Sequence, residues 1–268
     1  MKRARQLKDF LFIIGGIAIL LSTLVFWQII SITNALPSTI FPSATTVVSS
    51  FFSQVLSGTV FSPILDTLTR LFQGFLLAAL IGIVAGIGMG LSSLVDQTAD
   101  PLVQFLRPMP SVVLIPLAML YFGITGFIVI ILVAYAAIWP ILINTADGVK
   151  AIDPVVLDTA RQFHINGFNR FRKIILPAAA PFILSGLRVS LGIAWIVAIT
   201  VEMISGVVNN GIGVSIFYYL NSGNLAPMYG AIIAVALTAY LLNYVFTLLQ
   251  ARLTPWFEGT TKVVQAEV

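Results

Sequence analysis

Long uncharged runs of apolar residues dominate this sequence. Residues 10 to 32 contain no charged side chain, and at about 1.5 Å per residue a helix of this length crosses a hydrocarbon core of about 30 Å. Further apolar runs lie near residues 70 to 92, 101 to 122, 125 to 146, 178 to 205 and 227 to 250. Only helices or closed barrels satisfy the backbone in lipid, and these runs are too long and continuous for barrel strands. The sequence therefore predicts an all-α integral membrane protein with six transmembrane helices.

Composition supports the same class. Hydrophobic residues make up 59% of the 268-residue chain and charged residues 9%, whereas soluble proteins average about 25% charged. This excludes soluble enzymes, nucleic-acid-binding domains and disordered regulators. The absence of cysteine excludes disulfide frameworks, zinc-thiolate sites and thiol catalysis. A cleaved signal peptide shares the basic start of this chain but has a shorter apolar region, so we interpret residues 10 to 32 as the first span.

Basic residues are distributed unevenly between the two sides of the predicted membrane. With the N-terminus inside, the cytoplasmic side carries eleven of the 14 basic residues: Lys2, Arg3, Arg5, Lys8, Lys150, Arg161, Arg170, Arg172, Lys173, Arg252 and Lys262. The outer loops, about 33 to 66, 123 to 125 and 206 to 226, carry none. This asymmetry predicts that both termini are cytoplasmic.

These spans organise the chain into four parts. We predict an N-terminal cytoplasmic tail with the first transmembrane helix (1–33), an external amphipathic segment (34–66), a core (67–252) containing a cytoplasmic loop (147–177), and a cytoplasmic tail (253–268). Within the external segment, Val47, Val48, Phe51, Phe52 and Val55 recur at helical spacing over residues 38 to 60 and predict a short helix on the membrane surface.

Small residues and prolines mark particular spans. Gly82, Gly86 and Gly90 share one face of the second span, which predicts close helix packing. Kinks are expected from the prolines Pro101, Pro108, Pro110 and Pro116 in the third span and Pro140 in the fourth. Such kinks either line a cavity or are ordinary packing irregularities.

The sequence lacks the chemistry of a self-contained enzyme. No phosphate-binding G-x-x-x-x-G-K-[ST] motif is present. The single histidine, His164, lies in the basic loop and is poorly placed to activate Ser92, Ser93 or Ser185 at membrane depth. We therefore expect neither a catalytic residue nor a metal site.

The loop between spans four and five has helical signals. Asp153 is a fitting N-cap, Pro154 suits the first helical position, and the apolar spacing predicts a helix of about three turns. The run 164 to 167 is a turn signal, after which a second amphipathic stretch starts near Phe168 and ends at Pro177. Two interpretations are open from pattern alone: a docking element, or a solvated interfacial loop.

The loop also resembles a known motif. Asp158-Thr159-Ala160, His164, Ile174, Leu176 and Pro177 match the spacing of E-A-A-x3-G-x9-I-x-L-P, the loop signature of ABC importer permeases. Asp158, Thr159 and His164 replace the usual Glu, Ala and Gly. Because the glycine is lost, we expect the turn after this helix to be made differently, with Asn166-Gly167 able to supply it.

The resemblance extends over residues 36 to 256, to the nitrate/sulfonate/taurine-type branch of these binding-protein-dependent permeases. It is carried by Leu36-Pro37-Ser38, Leu68-Thr69-Arg70, Gly74-Phe75, Asp100-Pro101-Leu102, Arg107-Pro108-Met109-Pro110, Trp139-Pro140-Ile141, Ser185-Gly186-Leu187-Arg188 and Leu253-Thr254-Pro255-Trp256. Members of the branch import nitrate, bicarbonate, aliphatic sulfonates, taurine or vitamin-related heterocycles such as thiamine precursors.

The resemblance implies a type I ABC importer permease fold in a bacterial-type plasma membrane, with several partners. A second permease copy, simplest as a homodimer, would enclose the pathway. ATP-binding cassette subunits would bind ATP and Mg²⁺, a substrate-binding protein would dock outside, and this chain would bind no cofactor and no nucleic acid. The ATPase would be contacted by Asp158, Thr159, Ala160, Arg161, His164, Gly167, Ile174, Leu176 and Pro177.

The pathway and the outer contact are further predictions. Three arginines lie near or inside spans, of which we expect Arg70 to be interfacial. Arg188, Trp195 and Glu202 follow at steps of seven and form a candidate cavity wall; alternatively, Arg188 pairs with backbone carbonyls or a carboxylate. Pathway candidates are Arg107, Pro108, Met109, Arg188, Trp195 and Glu202. A cationic cavity of this kind would favour an anion.

The uncharged outer loop, 206 to 226, has a flexible glycine-containing tip followed by aromatic residues. It is either an ordinary connection or the contact for the binding protein, through Asn210, Gly211, Gly213 and Tyr218. A different class of function is an ATP-independent channel or secondary carrier, for which the loop would be merely solvated; the loop motif argues against it, and no inverted repeat is evident.

Overall fold

The computed structural model describes residues 2–33, 37, 40–205 and 208–256, and regular structure in this part of the chain is helical. The helices are α1 (Lys2–Ile32), α2 (Ala44–Leu56), α3 (Phe61–Leu91), α4 (Ser93–Leu106), α5 (Ile115–Phe122), α6 (Phe127–Lys150), α7 (Pro154–Gln162), α8 (Gly167–Arg170), α9 (Leu176–Ser205), α10 (Ile212–Asn221) and α11 (Leu225–Leu253). A 3₁₀ turn (Ser111–Leu114) precedes α5, and a π-helical turn (Phe171–Ile175) precedes α9. The all-α prediction is confirmed.

The predicted number of spans is confirmed in part. Four helices are long and apolar enough to cross a membrane: Phe61–Leu91, Phe127–Lys150, Gly167–Ile204 and Leu225–Leu253. The broken pair Ser93–Leu106 and Ser111–Phe122 adds a fifth if it is one span. Helix α1 (Lys2–Ile32) is 31 residues long and includes the apolar stretch Leu21–Ile32. Four or five of the six predicted spans are thus found among the described residues, and the exact count of six stays a prediction.

The third predicted span is not one helix. The apolar run predicted as the third span, 101 to 122, is divided between α4 and the Ser111–Phe122 segment, which meet at an angle of 83°. Pro108 and Pro110 lie in this break, and prolines supply no backbone donor to a helix. The predicted kink is thus confirmed, and it is sharper than a bend within one helix.

Two compact units divide the chain, one formed by Met1–Phe61 with Ser215–Ala234 and the other by Ser62–Val214 with Val235–Val268. In the first unit, the indole ring of Trp27 packs against Phe41 and Tyr229 at centroid distances of 5.6 and 5.7 Å. The amide of Gln54, on α2, donates to the carbonyl of Pro227 at 3.2 Å. The predicted helix within 38 to 60 is confirmed as the shorter α2, and its place on a membrane surface stays a prediction.

In the second unit, α3 packs closely on α6 along its small residues. A Cβ atom at Gly86 would lie 2.6 Å from the carbonyl oxygen of Leu142, and one at Gly90 would lie 2.5 Å from Cβ of Val149. Gly82 faces Ile141 in the same way. The close packing predicted for the three glycines is confirmed.

Helix α9 also packs on α6, through small and polar side chains. The Ser190 hydroxyl donates to the carbonyl of Ala137 at 2.6 Å, and a Cβ at Gly186 would lie 2.8 Å from the carbonyl oxygen of Pro140. Together with α8 and the π-helical turn, α9 forms one helical rod, Gly167–Ile204, of 38 residues. This rod connects the 147–177 loop to the opposite end of the unit.

Candidate translocation pathway and coupling segment

The break between α4 and α5 borders a cavity of about 530 Å³, which we call the Arg107 cavity. It is lined by Arg107, Pro108, Met109, Pro110, Ser111, Ala136, Trp139, Pro140, Ile143, Asn144, Val189, Ile193 and Val197. Arg107 is the one charged residue in that lining. The proline break thus opens a space beside α6 and α9 in which a guanidinium group can attract an anion.

A second cavity of about 610 Å³, the acidic cavity, also has Arg107 and Pro108 in its wall. Its charged residues are Asp96, Asp100, Asp147, Lys150 and Arg107. Lys150 Nζ and Asp96 Oδ1 form an ion pair at 2.7 Å that connects α6 to α4. Arg107 therefore stands between a cavity without carboxylates and one with three.

Arg188 lies in a different place from Arg107. It borders a third cavity of about 250 Å³ between α9 and α11, together with Trp195 and Asn243. Its Nε donates to Oδ1 of Asn243 at 3.0 Å. The partner of Arg188 is therefore an amide side chain, neither a carboxylate nor a backbone carbonyl, and the structure does not bring Arg107 and Arg188 into one cavity.

The three residues of the candidate cavity wall, Arg188, Trp195 and Glu202, lie in two different environments. Arg188 and Trp195 share the third cavity, although the Trp195 side chain is almost entirely buried. Glu202 is 1% exposed and lies in a buried polar network. Its carboxylate accepts from Arg70 Nη1 and from the Thr67 hydroxyl, both at 2.8 Å. Roles in the pathway stay predictions for all three, and the surroundings of Glu202 are those of a structural ion pair.

This ion pair is the main feature that sequence reasoning missed. The guanidinium of Arg70 is mostly buried and holds Glu202 across α3 and α9, and the interfacial position expected for Arg70 stays a prediction. The expectation followed from its position near the start of an apolar run. A usable signal was present: Arg70 and Glu202 are charged residues of opposite sign near the same predicted membrane face, and buried charges need partners.

The outer-loop candidates differ in accessibility. Gly211 and Gly213 are buried against Glu202, and a Cβ at Gly211 would lie 2.5 Å from a carboxylate oxygen of Glu202. Asn210 is partly buried and donates to Asp66 Oδ2 at 2.6 Å. Tyr218 is 66% exposed. Of the four predicted contacts for a binding protein, Tyr218 is thus the one that this structure leaves largely accessible.

The predicted helix in the 147–177 loop is present as α7. Asp153 Oδ1 accepts from the backbone N–H of Val155 at 2.8 Å, and Pro154 occupies the first helical position. The Asp158 and Arg161 side chains form an exposed ion pair at 2.9 Å. The N-cap and the helix start are therefore confirmed. With 9 residues, α7 is less than one turn shorter than the predicted three turns.

The turn after α7 is made at His164. His164 has φ of 56°, and the N–H of Ile165 donates to the carbonyl of Ala160 at 2.9 Å while the N–H of His164 donates to Arg161 at 3.0 Å. This is a Schellman ending, in which glycine usually takes the left-handed position. The expectation that Asn166-Gly167 would replace the missing glycine is corrected: His164 adopts the conformation itself, and Gly167, with φ of 55°, redirects the chain into α8.

An apolar groove lies on this segment. It has a volume of about 250 Å³ and is lined by Val155, Val156, Thr159, Ala160, Phe163, Ile165 and Ile174. Ala160 is 3% exposed and forms its floor, whereas Phe163 is 73% exposed at its edge. We call these seven lining residues the coupling groove.

The second amphipathic stretch does not end at Pro177. The chain continues through the π-helical turn and Leu176 into α9, so that Pro177 lies inside the helical rod, two residues after the π-helical turn. Ile175 is buried with Val149, Ile152, Ala179 and Ile183. Ile174, Leu176 and Pro177 thus lie within the rod near the groove, and Ile174 also lines the groove. Among the described residues, no group of three His, Cys, Asp or Glu side chains is arranged to hold a metal ion.

Comparisons with known proteins agree with this architecture. Residues 78–259 match the family model of the binding-protein-dependent transport system inner membrane component. The chain is 33% identical to the bicarbonate transport system permease protein CmpB of Synechococcus elongatus, over 91% of this chain and 89% of that protein. It is 37% identical to the nitrate import permease protein NrtB of Leptolyngbya laminosa, over 73% of this chain and 70% of that protein.

A third relative is the taurine transport system permease protein TauC of Escherichia coli, which is 32% identical over 75% of this chain and 72% of that protein. Among solved structures, a chain of the MetNI methionine ABC transporter in an inward-facing conformation superposes with a TM-score of 0.60 at 17% identity, covering 70% of this chain and 93% of that chain. This likeness shows the type I importer permease fold. The chain therefore belongs to the binding-protein-dependent transport system inner membrane components, the permeases of ABC importers, in their nitrate, sulfonate, taurine and bicarbonate branch.

Proposed function

We propose that this chain forms the translocation pathway for a small anion and couples its import to ATP hydrolysis on a separate ABC ATPase. The coupling groove carries this proposal. It displays apolar side chains outside the apolar spans, on a segment that is folded by its own N-cap and Schellman ending. An exposed phenylalanine beside such a groove is suited to insertion into a partner protein.

The Arg107 cavity supports an anionic substrate. One guanidinium group without a carboxylate beside it in that lining gives the cavity a positive potential, which the apolar surroundings strengthen. Nitrate, bicarbonate, a sulfonate or taurine fits this preference, and the relatives named above are permeases for three of these solutes. A thiamine precursor or another vitamin-like heterocycle is the alternative substrate class.

The assembly we propose has two permease copies, two ATPase subunits and an external binding protein. Both termini and the coupling groove would face the cytoplasm, in keeping with the basic residues of that side. The outer contact would include Tyr218, with the binding protein supplying most of the selectivity. A channel or secondary carrier is the competing proposal, and it predicts no need for an ATPase.

The test is ATPase activity of the complete complex in lipid nanodiscs with nitrate, bicarbonate, taurine, an alkanesulfonate and a thiamine-precursor pyrimidine. Phe163→Asp places a charge at the groove edge and is expected to reduce ATPase recruitment at least about tenfold, because burying an unpaired charge is costly. An aspartate at Phe127 would place a charge at the start of a predicted span and is unsuitable as a control. The matched pair is therefore Phe163→Ala and Phe127→Ala, which both truncate an exposed phenylalanine. Only the first should weaken coupling.

A bulky substitution of Ala160 should also uncouple transport, because Ala160 forms the groove floor. Arg107→Gln should lower stimulation by the anion that the wild type selects while leaving ATPase recruitment intact. Normal recruitment in Phe163→Asp would contradict docking at the groove, and transport without any ATPase would establish the channel or carrier. Stimulation by the pyrimidine alone would replace the anion with the alternative class.

A further inference from the structure

The buried pair Arg70–Glu202 belongs to a larger group, the Glu202 network, formed by Thr67, Arg70, Glu202, Asn210 and Gly213. Both carboxylate oxygens of Glu202 are satisfied: Oε1 accepts from Arg70 Nη1 at 2.8 Å, and Oε2 accepts from the Thr67 hydroxyl at 2.8 Å and from the Gly213 N–H at 3.2 Å. The carboxylate thus joins α3, α9 and the first turn of α10.

The network also holds the backbone that leads into α10. Arg70 Nη1 donates a second bond to the carbonyl of Asn210 at 2.9 Å, and the N–H of Ile212 donates to the Thr67 hydroxyl at 3.0 Å. The Asn210 amide reaches back to Ser62 Oγ at 2.9 Å as well as to Asp66. Residues 210 to 213 are therefore fixed at several successive backbone groups.

Glycines make this close fit possible. A Cβ at Gly213 would lie 2.5 Å from the carbonyl oxygen of Ile199, and one at Gly211 would meet both oxygens of Glu202. The carboxylate also stands at the N-terminal end of α10, where the helix dipole and unpaired N–H groups favour a negative charge. The backbone at Gly211 and Gly213 therefore packs directly against the Glu202 carboxylate, with no room for a side chain between them.

A buried ion pair is a poor device for stability alone, because desolvation offsets much of its attraction. The fixed geometry of its hydrogen bonds is instead suited to holding the neighbouring backbone in one position. Helix α10 carries the exposed Tyr218, while Glu202 lies at one end of the helical rod whose other end begins beside the coupling groove. Through Val189, Ile193 and Val197 the same rod lines the Arg107 cavity.

We infer that Arg70 and Glu202 are positioning residues that clamp the start of α10 to α3 and α9, so that docking of the external binding protein on α10 is transmitted along the α9 rod. The clamp follows from the geometry alone, whereas its role in transmission rests on the proposed importer function. The two parts make separate measurements possible.

The first measurement uses the absence of native cysteine. Asn209→Cys introduces one thiol at an exposed position beside the clamped residues, and its reaction rate with a membrane-impermeant maleimide is measured in detergent and in nanodiscs. Glu202→Gln keeps the shape of the side chain but removes its charge, and is expected to raise the rate at least about tenfold because Arg70 loses its counter-charge. Thr200→Val, on the same helix but outside the network, should leave the rate unchanged.

If Glu202→Gln does not fold, Asn210→Ala serves in its place, because it removes the contacts to Ser62 and Asp66 and leaves the Arg70–Glu202 ion pair in place. The double variant Arg70→Gln/Glu202→Gln should also be less impaired than either single variant, as expected for paired charges. An unchanged labelling rate in both Glu202→Gln and Asn210→Ala would overturn the clamp.

The second measurement is the concentration of binding protein that half-maximally stimulates ATP hydrolysis. It is expected to rise about tenfold in Glu202→Gln and to stay constant in Thr200→Val, since a misplaced α10 weakens docking. A raised labelling rate with unchanged binding-protein dependence would overturn transmission while retaining the clamp. If the wild type recruits no ATPase, the proposed function fails, and the labelling result still decides the clamp.

Discussion

His164 occupies a backbone position that usually requires glycine. Its φ of 56° is the left-handed conformation that glycine adopts readily and that side chains with a Cβ adopt at a cost. Histidine is among the non-glycine residues enriched there, and a β-branched residue is not. The position is therefore conformationally demanding even though the side chain is exposed.

We accordingly expect His164→Gly to be neutral or stabilising by up to about 1 kcal/mol, since relief of strain competes with the greater chain entropy of glycine. His164→Val should destabilise the segment by about 1–2 kcal/mol. Thermal unfolding of the purified permease measures both. Gln162→Val, in a regular helical position of α7, is the control and should cost only about a few tenths of a kcal/mol. Equal losses at both positions would contradict strain at His164.

At the scale of helices, the α3–α6 contact depends on which glycine of α3 is considered. Gly86 has no room for a methyl group, because a Cβ would lie 2.6 Å from a backbone oxygen and 2.7 Å from Cβ of Thr145. Gly88 is two residues away on the same helix, and its nearest neighbour would be at 3.9 Å. The two positions form a matched pair.

Gly86→Ala is expected to lower stability by about 1–3 kcal/mol through overpacking, whereas Gly88→Ala should be neutral or stabilising by about 0.5–1 kcal/mol through helix propensity. The melting temperature and the monodisperse fraction in one detergent report the difference. Comparable behaviour of the two variants would show that the helices separate easily at this contact.

The helical elements could be predicted from sequence where a local signal exists. The N-cap at Asp153, the glycine face of α3 and the proline break were all indicated by residue type and spacing. The conformation of His164 was not, because nothing local distinguishes a histidine that takes a left-handed φ from one that does not. The partners of Glu202 were not predicted either, because Arg70 and Thr67 are more than 130 residues distant in sequence. Long-range pairing of charges is decided by packing, which a single sequence does not encode locally.

For the whole molecule, the charge asymmetry gives a prediction about sidedness. Single cysteines at His164 and Ser222, both exposed, should react from opposite sides of the membrane, because the basic loop is expected inside and the uncharged loop outside. In sealed right-side-out vesicles, a membrane-impermeant maleimide should label only Ser222→Cys. Permeabilised vesicles supply the control, in which both cysteines should react. Exclusive labelling of His164→Cys would reverse the predicted orientation.

The position of Arg107 between two unlike cavities has an electrical consequence for the molecule. A monoanion held beside this guanidinium in the Arg107 cavity has no carboxylate among the lining residues, but on the other side of Arg107 the wall contains three. These carboxylates repel an anion, and Lys150, which pairs with Asp96 at 2.7 Å, offsets part of that repulsion. If Arg107 lines the pathway as proposed, we therefore expect a monoanion to bind more weakly in the acidic cavity than in the Arg107 cavity.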